Sequence, residues 1–353
     1  MRSSYVLLMG LCIAASSSCQ TDELFCGEVN RSTGPVAVST IGFGSCADQN
    51  RPQPVLERMT ALAPDVFCWL GDNIYGDTQN MKVLKHKYSR LGCKPEFRAL
   101  NEKTHYLAVW DDHDYGANDA GREYPKKEQS KNIFLDFWSE PQGSERWDHP
   151  GIYHSVTYGP EGRRVQFIML DTRTFRDPLL PANGPEWKND YRPNYDSTAT
   201  FLGAQQWEWL RAALQQPADL RIVMTSNQFG ITYNGYEAWA NVPIERQRLI
   251  DLIAETRANG VIFISGDVHW AELSKVDVAG GYPLYDITSS GITQDWSHVE
   301  PNDNRIGEAF APNNGGMIDI DWQQDDPLIG FRIIDAEGRE ALQYAVRLSE
   351  LRF

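Results

Sequence analysis

Basic residues are scarce in this sequence. Its 353 residues include 33 Lys and Arg against 48 Asp and Glu, and the formal net charge is −15. A protein that binds nucleic acid or an anionic membrane through electrostatics needs a basic surface. The composition therefore excludes a nucleic-acid scaffold as a partner and disfavours electrostatic docking on a membrane. It gives no indication of an oligomeric state.

A hydrophobic run long enough to cross a bilayer is also absent at the N-terminus. The apolar stretch at residues 5–15 is about half as long as a transmembrane helix requires. With Arg2 before it and small residues after it, the segment 1–19 is typical of a secretory signal peptide. The small residues before Cys19 also resemble a bacterial lipoprotein cleavage site, at which Cys19 would become a lipid anchor. We predict an exported protein that is secreted, periplasmic or lipid-anchored at the cell surface, with membrane contact only through that anchor.

Cysteines are few, six in all. Export permits disulfides, and Cys26 and Cys93 could pair, although sequence alone does not fix the connectivity. Cys68 lies in the apolar run Val66-Phe67-Cys68-Trp69-Leu70, which predicts a buried thiol.

Short apolar runs alternate with segments of helical spacing. The runs are brief, rich in β-branched or aromatic residues, and bounded by Gly, Asp or Pro, as in buried strands. This alternation predicts an α/β fold with mostly parallel strand pairing. The polar stretch 176–200 is rich in Pro and Asn and predicts a long loop. The predicted strands are Val36–Phe43, Val66–Leu70, Tyr106–Trp110, Val165–Leu170, Arg221–Thr225 and Val261–Ser265.

The pattern changes after residue 284, where strands follow one another without clear helices. They are predicted at 284–288, 317–322, 328–335 and 341–348, and residues 335–338 suit a hairpin turn. We expect these strands to add a more antiparallel sheet to the same body.

Polar side chains follow each predicted strand of the first part. Ligands bind at the carboxyl ends of strands in open α/β sheets. A single Asp at such an end is commonly a helix cap, but six polar strand ends in succession favour a site. Clustered carboxylates repel one another and need protons or cations, so a site for several metals is the simplest interpretation. The segments are Gly44-Ser45-Cys46, Gly71-Asp72-Asn73-Ile74-Tyr75, Asp111-Asp112-His113-Asp114, Asp171-Thr172-Arg173, Ser226-Asn227-Gln228 and Gly266-Asp267-Val268-His269.

These motifs resemble those of the alkaline phosphatase D-like (PhoD-like) metallophosphoesterases, which are related to purple acid phosphatases. The pair Trp110-Asp111-Asp112-His113-Asp114 and Gly266-Asp267-Val268-His269 is the most specific part of the match. The resemblance implies a sandwich of two mixed β-sheets flanked by helices, within a domain spanning residues 36–350. It also implies hydrolysis of small or polymeric phosphomonoesters or phosphodiesters by a metal-activated hydroxide. Two or more metal ions, Fe³⁺ and Ca²⁺, are the expected cofactors.

The resemblance assigns metal-binding roles residue by residue. Asp72 would bridge two metals, Tyr75 would supply a phenolate to a ferric ion, and Cys46 would supply a thiolate to the same iron. His269 is the remaining iron ligand. Asp112 and Asp267 would hold the second metal, for which carboxylates favour a hard cation such as calcium.

Two further residues are expected to act on the substrate. His113 would orient it or protonate the leaving oxygen, and Arg173 would clamp a phosphate oxygen unless Asp171 or another acid pairs with it. Asn118, Asn227 and Asp114 are weaker candidates near the metals.

Two alternatives stay open at this point. One is a non-catalytic metal-binding module that keeps the fold. The other is a thiol hydrolase that pairs Cys46 with His113 or His269 without a metal.

Overall fold

The computed structural model describes Val29, Gly34 and residues 36–182, 191–233 and 235–353. The predicted signal at residues 1–19, with the proposed anchor Cys19, lies outside the described residues. None of the described helices is long and apolar enough to cross a membrane.

Strands form where the short apolar runs occur. Those at 66–70, 165–169, 220–224 and 261–265 are buried along their whole length, which is typical of a sheet covered on both faces. The strands of the described chain are β1 (Thr40–Gly44), β2 (Val66–Leu70), β3 (His105–Val109), β4 (His154–Tyr158), β5 (Val165–Met169), β6 (Leu180–Pro181), β7 (Tyr191–Arg192), β8 (Leu220–Met224), β9 (Val261–Ser265), β10 (Ala271–Val276), β11 (Leu284–Ser289), β12 (Arg305–Phe310), β13 (Asn314–Asp321), β14 (Leu328–Asp335) and β15 (Glu340–Arg347).

Helices connect many of the parallel strands. Proline opens three of them, at Pro54, Pro95 and Pro243, where the missing N–H has no partner in the helix anyway. The buried face of the helix at residues 203–214 includes Trp207, Leu210 and Leu214. The helices are α1 (Pro54–Leu62), α2 (Met81–Gly92), α3 (Pro95–Asn101), α4 (Asp112–Tyr115), α5 (Lys127–Phe137), α6 (Gly203–Leu214) and α7 (Pro243–Glu255), with 3₁₀ turns at Glu145–Trp147, Trp239–Asn241 and Leu348–Leu351.

Two large mixed sheets form the body. The first has the order β15-β14-β13-β1-β2-β3, and the second has the order β12-β10-β11-β9-β8-β5-β4. Strands β1, β2 and β3 run parallel to one another, as do β5, β8, β9 and β11. This arrangement confirms the predicted α/β sandwich of two mixed sheets. It also brings the carboxyl ends of the parallel strands to one edge of each sheet.

The C-terminal strands pair differently from the expectation. They do not form a separate sheet: β13 pairs antiparallel with β1 and extends the first sheet, while β11 pairs parallel with β9 inside the second. The predicted hairpin turn is confirmed, because Gly338 N–H donates to Asp335 O at 3.0 Å and Gly338 adopts a φ of +85°. Local patterns identify strands, but pairing depends on packing between residues about 280 positions apart, such as Thr40 and Asp319.

The cysteines of the described chain fall into two classes. Cys46 and Cys68 are free and buried, which agrees with the predicted core thiol at Cys68. Cys93 is disulfide-bonded, and its partner lies outside the described residues. The Cys26–Cys93 pairing therefore stays a prediction.

Candidate metal centre

The residues that follow the parallel strands meet at the shared edge of the two sheets. Cys46 follows β1, Asp72 follows β2 and Asp112 follows β3, while Asp267 and His269 follow β9 on the other sheet. Parallel strands deliver their carboxyl ends to the same place, so residues far apart in sequence become neighbours.

One group of ligand atoms contains sulfur, oxygen and nitrogen. Atoms of Cys46, Asp72 and His269 lie within 4.8 Å of one another. The Sγ of Cys46 is 3.6 Å from Oδ2 of Asp72. The hydroxyl of Tyr75 lies 3.2 Å from Nε2 of His269, so Tyr75 joins the same group. These four residues are the set expected around iron.

Further groups are dominated by carboxylates, and one of them shares Asp72 with the first. Asp72 lies with Asp112 and His113, and Asp112 lies with Asp111 and Asp267, each set within the same 4.8 Å. Asp72 belongs to two groups and thus stands between them. That position is the one expected of a bridging carboxylate.

Four of these residues hold an uncommon backbone conformation. Cys46, Asp72, Asp267 and His269 have φ values of +60°, +48°, +75° and +65°. Residues other than glycine rarely adopt positive φ, and such residues cluster at functional sites because the surrounding structure must hold them there.

Buried acceptor atoms without a partner test whether the cluster fits a cation. Oδ1 of Asp72, Oδ2 of Asp111, Oδ1 of Asp112 and Oδ1 of Asn227 are buried without a hydrogen bond from the described residues. Leaving a buried polar atom unpaired costs about 1–3 kcal/mol, more when it is charged. Oxygen, sulfur and imidazole donors on one buried cluster therefore fit a centre for more than one metal ion.

The pKa values of the acids also indicate that the cluster fits cations. Burial raises the pKa of Asp72 well above its usual value, although His113 opposes the shift. Burial and the neighbouring Asp111 and Glu237 likewise raise the pKa of Asp267. Without protons or cations these carboxylates are not stable together.

Thiol and imidazole groups also have shifted pKa values. Burial raises the pKa of Cys46 to about 12, against hydrogen bonds from Ser290 and Ser45 that lower it. Burial and the charge of His113 lower the pKa of His269 to about 4, so His269 is a neutral imidazole at pH 7 and has a lone pair for a metal.

His113 is in a different electrostatic environment. Burial acts to lower its pKa, but Asp72, Asp112 and Asp77 outweigh burial and raise the pKa to about 11. Its ring lies against that of Tyr75, with centroids 4.4 Å apart, and Nδ1 is 2.7 Å from Oδ1 of Asp77. His113 thus carries a positive charge beside the acids.

The expected phosphate clamp is contradicted. Arg173 is fully buried and forms ion pairs with Asp111 and Glu237, with Asp112 at 3.8 Å. The alternative, in which an acid pairs with Arg173, agrees with the structure, and the acids are Asp111 and Glu237. The guanidinium neutralises these carboxylates and is not among the residues that line the cavity described below.

The three weaker candidates differ in their position relative to the site. Asn118 lines the cavity, and Asn227 Nδ2 lies 3.4 Å from Oδ2 of Asp267. Asp114 lies outside the ligand groups: it accepts hydrogen bonds from Asp111 N–H at 2.6 Å and Asn73 Nδ2 at 2.5 Å and caps α4.

Two residues of the site were not singled out from the sequence. Asp119 and Glu237 form a further ligand group with Asp112. Asp119 directly follows the candidate Asn118 in the sequence, and that position was a usable signal. Glu237 lies in the loop between β8 and α7, where no strand end marks it.

A cavity of about 280 Å³ opens onto these groups. Over the residues that the structure describes, neither Lys nor Arg lines it. Its wall consists of Asp72, Asp112, Asp119, Glu237 and Asp267, of His113 and His269, of Tyr191, Tyr236 and Trp296, and of Asn118 and Val268.

Sequence comparison identifies similar proteins. A family model described as "PhoD-like phosphatase" matches residues 83–304, a range that contains Asp112, Asp267 and His269 but begins after Asp72. Alkaline phosphatase D of Bacillus subtilis (strain 168) is 25% identical over 285 residues, or 67% of this chain and 47% of the relative. The chain thus spans about half the length of that curated relative.

Comparison with solved structures gives the same fold. A structure of PhoD matches with a TM-score of 0.63 and 18% identity, over 87% of this chain and 72% of that one. GAP50, described as the anchor in the inner membrane complex of Plasmodium, matches with a TM-score of 0.55 and 10% identity, over 88% and 89% of the two chains. At these identities the two likenesses establish the fold alone.

Proposed function

The chain belongs to the PhoD-like phosphatase family, and from that premise we propose that it is an exported, metal-dependent phosphoesterase. Its substrates would be phosphomonoesters, phosphodiesters or both, on small or polymeric molecules. The observation that carries the proposal is the set of overlapping ligand groups that share Asp72 and Asp112 beside one cavity.

The donor types divide the groups between two kinds of metal. Cys46, Tyr75 and His269 supply sulfur, phenol oxygen and nitrogen, a set that suits Fe³⁺. Asp112 and Asp267 supply carboxylates, which suit a hard cation such as Ca²⁺. Asp72 stands between the two. Bound metal ions would supply the positive charge that neutralises a phosphate ester and activates water.

The remaining steps fall to the residues of the chain. His113 faces the cavity, and its Nδ1 is engaged by Asp77, which leaves Nε2 to hold a proton. A protonated Nε2 can donate that proton to the leaving oxygen of the ester. Arg173 keeps Asp111 and Glu237 neutralised and thereby maintains the shape of the site.

The thiol hydrolase alternative lacks an accessible nucleophile. Cys46 does lie close to His269, but its side chain is fully buried and does not line the cavity. A nucleophilic thiolate sits in a partly exposed, electropositive environment, whereas Cys46 faces carboxylates. The non-catalytic module has no observation in its favour, because each candidate ligand is present and brought together.

Export and domain extent are part of the proposal. The disulfide at Cys93 supports an oxidising compartment, and the signal-like segment 1–19 supports secretion, with or without a lipid on Cys19. Residues 36–350 would form one catalytic domain. This extent is supported by the pairing of β13, near the end of the range, with β1, near its beginning.

Elemental analysis combined with two assays tests the proposal. Wild-type protein and the D72N variant are assayed on p-nitrophenyl phosphate and on bis-p-nitrophenyl phosphate, and their metal content is measured. D72N is expected to lose metal and most activity while it remains folded. D286N is the matched control, because Asp286 is equally buried but lies outside the ligand groups.

Two outcomes would contradict the proposal. Undiminished activity after verified removal of all metal would exclude metal-dependent hydrolysis. A wild-type protein that binds metal yet hydrolyses neither ester would favour the non-catalytic module.

A further inference from the structure

Ser290, which the sequence did not single out, joins two of the candidate metal ligands. It directly follows β11 and is fully buried. Its Oγ accepts a hydrogen bond from the backbone N–H of His269 at 2.9 Å. The same oxygen lies 3.1 Å from Sγ of Cys46.

The direction of the second hydrogen bond follows from proton counting. A backbone N–H only donates, so the hydroxyl of Ser290 accepts from His269 and keeps its single proton for another acceptor. A metal-bound thiolate has no proton and only accepts. With Cys46 bound to a metal, the Ser290 O–H would therefore point at Sγ. The hydroxyl of Ser45 is farther from Sγ, at 3.5 Å, and also faces the carbonyl of Ser289.

The chain after β11 fixes this contact. Ile292 N–H donates to Ser45 O at 3.1 Å, and Thr293 donates to Cys46 O through its N–H at 3.1 Å and its hydroxyl at 3.0 Å. These bonds hold Cys46 in its positive-φ conformation. Ser290 consequently meets Sγ on a rigid frame that comes from the opposite sheet.

We propose that Ser290 is a positioning residue for the Cys46 thiolate: its hydroxyl orients Sγ toward the metal and reduces the electron density that sulfur donates to it. The inference rests on the proposed function, in which Cys46 binds a metal. Hydrogen bonds to a coordinating sulfur tune the metal, and removing a partner that supports a ligand costs roughly 10–100-fold in metal affinity.

The test uses Co²⁺ alone as the probe on the full chain. Wild-type and S290A proteins are stripped, titrated with Co²⁺, and compared by the thiolate-to-cobalt charge-transfer absorption. In S290A that band is expected to move to lower energy, because the sulfur becomes the better donor, with roughly 10–100-fold weaker binding. The matched control is S289A: Ser289 is equally buried, but its hydroxyl donates to Oδ1 of Asn314 at 2.8 Å.

The outcomes are distinguishable. An unmoved band in S290A, or an equal shift in S289A, overturns the inference while the wild-type band still supports Cys46 as a ligand. The absence of any thiolate band in the wild-type protein overturns that part of the proposed function, and this inference with it. If S290A does not fold, resonance Raman spectra of wild-type Co²⁺ protein in H₂O and D₂O decide the matter: a deuterium shift of the cobalt–sulfur stretch supports the hydrogen bond, and its absence overturns the inference.

Discussion

Oδ1 of Asp77 lies 2.7 Å from Nδ1 of His113 and fixes the orientation of the imidazole at the cavity. Asp77 has a φ of +43°, so its backbone is held in an uncommon conformation to make this contact. The carboxylate supports the positive charge on the ring and leaves Nε2 for the substrate. Asp77 was not singled out from the sequence, because the contact joins two separate strand-end loops.

We expect H113N to lower kcat by about 10²–10⁴-fold without loss of metal, since a general acid contributes on that order. The loss should be larger for phenyl phosphate than for p-nitrophenyl phosphate, because the poorer leaving group needs the proton more. D77N should show the same pattern with a smaller loss, as an amide oxygen still accepts the hydrogen bond. Steady-state kinetics on both esters, with metal analysis, provides the measurement.

H298N is the matched control, because His298 is exposed and lies outside the cavity wall. Equal losses of kcat for both leaving groups in H113N would show that the imidazole does not donate the proton.

The central residues of the site could be predicted because they follow apolar strands. The other residues of the site depend on tertiary contacts, which local sequence patterns do not show. Asp72, Asp112 and Asp267 each follow an apolar run, and parallel strands deliver such residues to one edge. Glu237 could not be found in this way, because it reaches the site from a loop and is held there by ion pairs with Arg173 and Arg176.

The role of Arg173 shows a second limit. A guanidinium at a strand end suits a phosphate clamp and a buried ion pair equally well, and the choice depends on Asp111 and Glu237. Strand β13 is a third case: its apolar pattern predicts a strand, but nothing local identifies β1 as its partner.

R173M is expected to be a stability variant. The substitution leaves Asp111 buried without its cation and leaves Glu237 with Arg176 alone, and breaking a buried pair costs about 3–5 kcal/mol. Denaturant unfolding should show this loss, and adding E237Q should recover part of it. R211M should cost less than about 1 kcal/mol, because the Arg211–Glu255 pair at 2.8 Å is exposed. An R173M protein with wild-type stability but a raised KM would instead support the hypothesis that Arg173 clamps the phosphate.

A buried acid remote from the ligand groups should make stability depend on pH. Burial raises the pKa of Asp286 from 3.8 to about 6, against hydrogen bonds from Gly230 N–H, Ser265 and Phe229 N–H that lower it. The folded protein then binds this proton more tightly than the unfolded chain. The contribution of Asp286 is thus fully present below about pH 4 and is lost as pH rises through about 6.

D286N should remove this dependence, because an amide does not titrate; its oxygen can still accept from Phe229 N–H and Gly230 N–H, and its NH₂ would donate to Ser265 Oγ in place of the bond that Ser265 now donates. Urea unfolding from pH 4 to 7 should show the stability advantage of wild type over D286N falling by about 2 kcal/mol between pH 4 and 6. Asp335 is the matched control: burial acts to raise its pKa, but hydrogen bonds from Arg339 outweigh burial and lower it. The difference between wild type and D335N should therefore not fall over that pH range. A constant difference for D286N would show that Asp286 is ionised throughout.

The last prediction concerns the contact between the loop 177–200 and the site. The base of the loop is closed by Asp177 N–H to Thr200 O at 2.8 Å, and the hydroxyl of Tyr191 donates to Oδ2 of Asp119 at 2.6 Å. A hydrogen bond to a charged group contributes about 1.5–3 kcal/mol. Y191F should therefore open this loop about 10–100-fold more often, which limited proteolysis under native conditions measures as faster cleavage within 177–200. Y195F is the matched control on the same loop, because Tyr195 is 72% exposed. Equal cleavage rates in wild type and Y191F would show that backbone contacts such as Tyr191 N–H to Gly235 O hold the loop without the phenol.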